Sequence, residues 1–98
     1  MTFDGEACAA YFKLVPEITK VNNSWPLEGF IAGIDDVILD LDAENNVLGV
    51  EILGKANDEP KAILGAIADE SIANLMALEG FECPQLRGNP EITVKRIK

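Results

Sequence analysis

Alternating apolar and polar side chains predict short β-strands in the first half of the chain. Residues 10–15 show the two-residue period of a half-buried strand, which ends before Pro16. The same period is clearest in residues 47–53, where Leu48, Val50 and Ile52 fall on one face. Both runs are therefore predicted to be strands, and residues 47–53 give the cleanest strand signal in the chain.

Between these runs the pattern is less regular. Residues 17–21 form a weaker strand candidate, and residues 30–34 and 37–41 predict either two short strands or one strand bent at Gly33 and the two aspartates that follow. The sequence NNSWP at 22–26 predicts a turn, because asparagine tolerates left-handed dihedral angles and proline restricts the residue before it.

The segment that joins residues 37–41 to residues 47–53 predicts a hairpin. It is long enough for a type I turn followed by a left-handed residue, and Asn45 suits that position best. The sequence does not settle the register of the pair, so whether Asp40 faces Gly49 stays open.

After Gly54 the apolar period becomes helical. Asn57 or Asp58 can cap a helix over residues 58–79, and Gly80 can end it. Its apolar stripe lies at positions 64, 67, 68, 72, 75 and 76. A glycine inside the helix, at position 65, allows an alternative in which a short turn precedes the main helix. The tail 91–98 alternates again and carries lysines, which predicts an edge strand.

These elements predict an α+β fold: a small, mostly antiparallel sheet of four to six short strands, with one main helix packed on one face. We expect a single domain over residues 1–98, with a sheet core at 1–55, the helix at 56–80 and a basic C-terminal strand at 81–98.

No apolar run reaches the roughly 18 to 20 residues of a membrane span, and the first residues lack the pattern of a secretory leader. We therefore expect a cytoplasmic location without membrane contact.

The net charge and the types of side chain present exclude several classes of function. The net charge is −9. Residues 1–82 hold 16 acids and 4 bases, whereas residues 83–98 hold 1 acid and 4 bases. Such an acidic body makes nucleic acid an unfavourable direct ligand and suits either solubility or a basic protein partner.

The chain has no histidine, so histidine-based nucleophile pairs and the common zinc sites are excluded. Cys8 and Cys83 are interpreted as buried thiols.

The acids around the predicted hairpin suggest a calcium loop when Asp40 is counted as its first position, because Asp42 then falls at position 3 and Glu51 at position 12. An EF-hand also needs a glycine at position 6, where this chain has Asn45, and helices on both sides. We therefore interpret the segment as a hairpin with a solvated acidic tip and assign no metal site, no cofactor and no catalytic residue.

Two aromatic residues are the best candidate anchors for a protein partner, because tyrosine and tryptophan combine a large apolar surface with a polar group. Together with the polar positions of the hairpin they predict a partner-binding face. Its members are Tyr11, Trp25, Asp40, Asp42, Gly49 and Glu51.

Two segments, FDGEACAAYFKL at 3–14 and VILDLDAENNVLGVEIL at 37–53, carry a family resemblance. They resemble the YuzE-like family, a bacterial domain of unknown function, over about residues 3–55. The matching positions are Phe3, Asp4, Glu6, Ala10, Tyr11, Leu14, Asp40, Asp42, Gly49, Glu51 and Leu53. The resemblance implies a small curved antiparallel sheet with no established activity. Asn45 replaces the turn glycine of the family, and residues 56–98 are additions to its shorter core.

Three functional hypotheses follow. The first is a non-enzymatic protein-interaction module, for which a homodimer is one form of assembly. The second is an antitoxin-like inhibitor that masks a basic nuclease by charge complementarity. The third is a carboxylate-based divalent-metal binder or enzyme that uses Asp40, Asp42 and Glu51.

Overall fold

The structure is a computed structural model that describes residues 1–17, 20–55 and 61–87, together with the backbone of 95–96. Its strands form one sheet in the order β3-β4-β5-β2-β1-β6, in which β1 and β6 run parallel and every other pairing is antiparallel. The class is α+β, as the sequence predicts. The elements in chain order are β1 (Thr2–Asp4), β2 (Ala9–Lys13), β3 (Asn23–Pro26), β4 (Ile34–Leu41), β5 (Val47–Gly54), α1 (Lys61–Ala68), α2 (Ser71–Leu78), a 3₁₀ turn (Pro84–Leu86) and β6 (Lys95–Arg96).

The hairpin of β4 and β5 forms the centre of the sheet. Asn45 has a φ of 64°, so the predicted left-handed turn residue is confirmed. The register places Asp40 opposite Gly49 and Ile38 opposite Glu51. Since side chains alternate along a strand, these four residues share one surface of the sheet, which we call the outer face.

The inner face of the sheet packs against the two helices. Phe3, Ala10, Leu39, Leu41, Val50 and Ile52 are buried there in one cluster with residues of the helices. The helices contribute Ile63, Ala66, Ile67, Ile72, Ala73 and Met76. This two-layer packing gives the fold its core.

The prediction of one main helix is wrong, because the described residues between 61 and 87 form two short helices in its place. Glu70 adopts a left-handed φ of 64° between α1 and α2, which interrupts the helical backbone. Gly65 is not the break point and lies inside α1. Gly80 has a φ of 92° just after α2, so the predicted C-terminal stop is confirmed. The predicted caps Asn57 and Asp58 lie outside the described residues.

Several strand predictions need correction. Residues 22–26 are not a turn, because residues 23–26 pair with β4 as the edge strand β3. Of the two alternatives for residues 30–41, the structure has the single strand, with a register irregularity between Ile34 and Asp36, but this strand begins only at Ile34. In the candidate 17–21, residues 17, 20 and 21 belong to no strand, and the two between them lie outside the described residues.

The two ends of the chain meet at one edge of the sheet. The sequence pattern did not predict β1, which pairs with β2 on one side and β6 on the other. The predicted C-terminal edge strand is described only at residues 95–96, where it runs parallel to β1. The rest of that prediction lies outside the described residues.

Neither helix in the described residues is long and apolar enough to cross a membrane.

Candidate functional site

Strand register brings four of the six residues of the predicted partner-binding face together on the outer face of the sheet. Tyr11 on β2 lies opposite Glu51 on β5, and Gly49 lies opposite Asp40 on β4. The Tyr11 hydroxyl donates a hydrogen bond of 2.7 Å to Oδ2 of Asp40, across the intervening strand. The Ser24 hydroxyl on β3 donates one of 3.2 Å to Oδ1 of the same carboxylate. The two hydrogen bonds therefore link β2, β4 and β3 across β5, so the cluster spans four neighbouring strands.

Gly49 makes this link possible because it has no side chain. A Cβ atom built on its backbone would overlap the hydroxyl of Tyr11, and would stand only 2.8 Å from the ring carbon Cε1. The tyrosine ring thus lies directly over Gly49 on its way to Asp40. The close approach of the ring therefore requires a residue without a side chain at position 49, on the face of β5 opposite its apolar row.

The electrostatics of the cluster keep the tyrosine protonated. Burial raises the pKa of Tyr11, and the hydrogen bond to Asp40 and the negative charges of Asp40 and Glu51 raise it further. A protonated phenol is a hydrogen-bond donor and a poor nucleophile. The arrangement therefore acts in cross-strand bonding rather than in covalent chemistry.

Trp25 does not belong to the outer face. It lies opposite Leu39, which is fully buried, so its side chain is on the helix side of the sheet. The indole Nε1–H donates a hydrogen bond of 3.0 Å to Oε1 of Glu79, and the ring meets Phe81 edge-on at 5.6 Å between centroids. The other oxygen of Glu79 accepts a bond of 2.7 Å from the backbone amide of Glu28. Trp25 thus ties the edge strand to the end of α2.

Asp42 is occupied by its own turn. Its Oδ1 accepts hydrogen bonds of 2.9 Å from the backbone amides of Glu44 and Asn46, and its Oδ2 accepts one of 3.1 Å from the amide group of Asn46. The bonds from Asn46, and then the one from Glu44, lower the pKa of the Asp42 carboxyl. The side chain stabilises the left-handed turn at Asn45.

The carboxylates Asp40, Asp42 and Glu51 do not form a shared centre. The first bonds Tyr11 and the second bonds its turn. Among the residues that the structure describes, no three acidic or cysteine side chains come together in a way that could hold a metal ion.

A surface that the sequence reasoning missed lies between the helices and the segment that precedes β4. We call it the apolar groove. It has a volume of about 570 Å³. Its lining residues are Phe30, Ile31, Ala32, Ala62, Gly65, Ala66, Asp69, Ser71, Asn74, Leu75 and Leu78.

Two large apolar side chains on the apolar groove are nearly fully exposed: Phe30 at 79% and Leu78 at 83%. A sequence signal existed for Leu78, because its position lies outside the predicted helical stripe. Phe30 gave no comparable signal, because the sequence pattern predicts a strand at residues 30–34, whereas β4 begins four residues after Phe30. The location of both at one groove depends on the tertiary structure.

Charged side chains of both signs flank the apolar groove. A smaller adjoining cleft shares Ile31 and Leu75 with it and is lined by the exposed Asp35 and Asp36. The ammonium group of Lys55 lies 5.4 Å from the centroid of the Phe30 ring, within the range of a cation–π contact.

No family model matches the sequence, and no curated protein or solved structure matches it either. The resemblance to the YuzE-like family rests on the quoted sequence positions alone and stays a prediction.

Proposed function

We propose that this chain is a non-enzymatic protein-interaction module that binds its partner in the apolar groove. The observation that carries the proposal is the exposure of Phe30 and Leu78 on the same groove. Single exposed apolar residues are ordinary on protein surfaces, but large ones grouped around a concavity are typical of interaction sites.

The free energy gained by burying these two side chains is large enough to anchor a binding partner. Full burial of one large apolar side chain contributes roughly 1.5 to 3 kcal/mol. Covering Phe30 and Leu78 together therefore contributes about 3 to 6 kcal/mol before the costs of association are subtracted. A residue whose truncation costs about 2 kcal/mol or more counts as a binding hot spot, and the contribution expected for each of these side chains spans that value.

The outer-face cluster is a weaker candidate for the contact. The carboxylate of Asp40 already accepts hydrogen bonds from Tyr11 and Ser24, so a partner would have to replace existing bonds. Trp25 is 40% exposed, but its indole N–H is already bonded to Glu79. We therefore place the partner in the apolar groove and assign these residues to fold stability.

Substitution of Leu78 by glutamate tests the proposal, because a charge in the groove should abolish an apolar contact while leaving the core untouched. Val21 offers a matched control: it is 41% exposed and lies before β3, away from the groove. We expect Leu78→Glu to lose the complexes formed in native extract, measured by cross-linking and sizing, and Val21→Glu to retain them. Equal behaviour of the two variants, or a wild-type chain without any complex, would contradict the proposal.

The antitoxin-like role is a second candidate, favoured by the net charge of −9. A basic nuclease would approach such a surface under electrostatic steering, and the complex would weaken as salt is added. Titration against the product of the neighbouring gene, at low and high salt, tests this candidate. A complex that does not respond to salt, or no complex at all, would remove it. For either role we expect a cytoplasmic protein, in keeping with its two buried thiols Cys8 and Cys83.

A further inference from the structure

We propose that the occupant of the apolar groove is a second copy of this chain, docked with two-fold symmetry along α1. The inference rests on the proposed function and names the partner of the same groove. In such a dimer each copy covers the exposed apolar side chains of the other with its own, so Phe30 and Leu78 of both copies become buried.

Charge complementarity on α1 supports the symmetric arrangement. Lys61 and Asp69 are both exposed, and each lies four residues from Gly65, one before it and one after it. Four residues of helix rise about 6 Å. When two α1 segments run antiparallel and cross at Gly65, each Lys61 meets the Asp69 of the other copy. Each copy thus contributes Lys61 at the start of α1 and Asp69 just after its end to two equivalent ion pairs.

Both signs of charge meet at the apolar groove. Lys55 lies over the ring of Phe30, and the carboxylates of Asp69, Asp35 and Asp36 line the groove and its adjoining cleft. The complete sequence is acidic, with 17 acids and 8 bases. Two acidic chains repel each other least where positive groups of one face carboxylates of the other, so self-association favours a surface that carries both signs.

The shape of α1 permits the approach. Gly65 is exposed, and among the described residues no atom other than its chain neighbours and the backbone of its own helix lies within 4 Å of the position that a Cβ would occupy there. A second helix can therefore come close at the crossing point without displacing any side chain of this one.

A charge-swap experiment identifies a second copy as the partner. Sedimentation of the wild-type chain over a range of concentrations should show a reversible monomer–dimer equilibrium. Lys61→Glu alone and Asp69→Lys alone should each weaken self-association by at least about tenfold, because like charges then meet twice. An equimolar mixture of the two variants should dimerise as the wild type does. In the mixed dimer the introduced glutamate faces the introduced lysine, and native Asp69 faces native Lys61.

An independent variant guards against effects on folding. Asp69 accepts hydrogen bonds from the backbone amide and hydroxyl of Ser71, so its replacement can loosen the start of α2. Gly65→Leu avoids this problem, because leucine is a better helix former than glycine and the site is open. We expect this variant to unfold at no lower urea concentration than wild type and to dimerise at least about tenfold more weakly, because its side chain occupies the crossing point.

The outcomes separate the two proposals. A wild-type chain that stays monomeric at about millimolar concentration, a mixture that fails to restore the dimer, or a Gly65→Leu variant that dimerises normally overturns the dimer. If the wild type is monomeric and Leu78→Glu still abolishes binding of a different protein, the dimer is wrong and the interaction module stands. If Leu78→Glu alters neither self-association nor any other complex, both proposals fail.

Discussion

Replacement of Gly49 by alanine should destabilise the protein by about 1 to 2 kcal/mol, although alanine is ordinarily the better residue in a strand. The added methyl group would overlap the Tyr11 ring, whose hydroxyl bonds Asp40 at 2.7 Å. The overlapping atoms belong to the far end of a side chain, so the ring can rotate away. Rotation breaks the hydrogen bond that links β2 to β4.

The magnitude follows from three contributions. Replacing glycine inside a strand gains roughly 0.5 to 1 kcal/mol. Inserting a methyl group into an occupied space costs about 1 to 3 kcal/mol. Losing a hydrogen bond to a carboxylate costs roughly 1.5 to 3 kcal/mol when it is buried, and less here because Tyr11 and Asp40 are only half-buried. With the hydrogen bond at about 1 kcal/mol, as for Tyr11→Phe, and the crowding at roughly 1 to 2 kcal/mol because the ring can move, the costs exceed the gain by about 1 to 2 kcal/mol.

Urea unfolding of four proteins measures the effect: wild type, Gly49→Ala, Tyr11→Phe and the double variant. Tyr11→Phe alone should cost about 1 kcal/mol, because it removes only the hydroxyl. In the Gly49→Ala background it should cost almost nothing, since the hydroxyl has already left Asp40. Gly65→Ala is the matched control and should stabilise the chain by up to about 1 kcal/mol, because that position is open and helical.

Two results would refute this reasoning. A Gly49→Ala variant as stable as wild type would mean that the ring adapts without loss. Additive effects of Gly49→Ala and Tyr11→Phe would mean that the two substitutions act on separate interactions.

Two further predictions concern Asp42 and Glu79. The pKa of Asp42 is below its ordinary value near 3.8, chiefly through its bonds to Asn46, so its carboxylate stabilises the fold above that pH and loses this contribution as the pH falls through its lowered value. The stability difference between wild type and Asp42→Asn should therefore shrink between pH 6 and pH 2.5 in urea unfolding, and a constant difference would contradict it. Glu79→Ala should free the Trp25 indole, lower stability by about 1 kcal/mol and shift tryptophan fluorescence to longer wavelength. Glu82→Ala, at an exposed side chain, should leave both unchanged.

Features that depend on residues close together in the sequence were predicted correctly, whereas features that depend on residues far apart were harder to predict. The alternation in residues 47–53, the left-handed Asn45 and the stop at Gly80 are set by neighbouring residues, and the structure contains all three. The break between the helices was harder to predict, because Glu70 is an ordinary helix former with no local reason to adopt φ 64°. Its carboxylate bonds Arg87, 17 residues away, at 3.1 Å.

The candidate sites show the same division. Residues 22–26 have the composition of a turn, but pairing with β4 and the bond from Trp25 to Glu79, 54 residues away, hold part of them as a strand. Strand register brings four members of the predicted face together on the outer face and places Trp25 on the other side of the sheet, and composition does not encode that register. The apolar groove was missed for a similar reason, because its walls come from segments distant in the chain.

By itself the sequence determined the fold class, the central hairpin with its turn, and the acidic character of the surface. These properties follow from side-chain periodicity, left-handed turn positions and charge counts, all of which are local or additive. The tertiary structure alone decided that Tyr11 crosses Gly49 to reach Asp40, and that Phe30 and Leu78 flank one groove. Those contacts join residues at least 29 positions apart. They arise from strand register and helix packing, which the folded core fixes through the burial of apolar side chains.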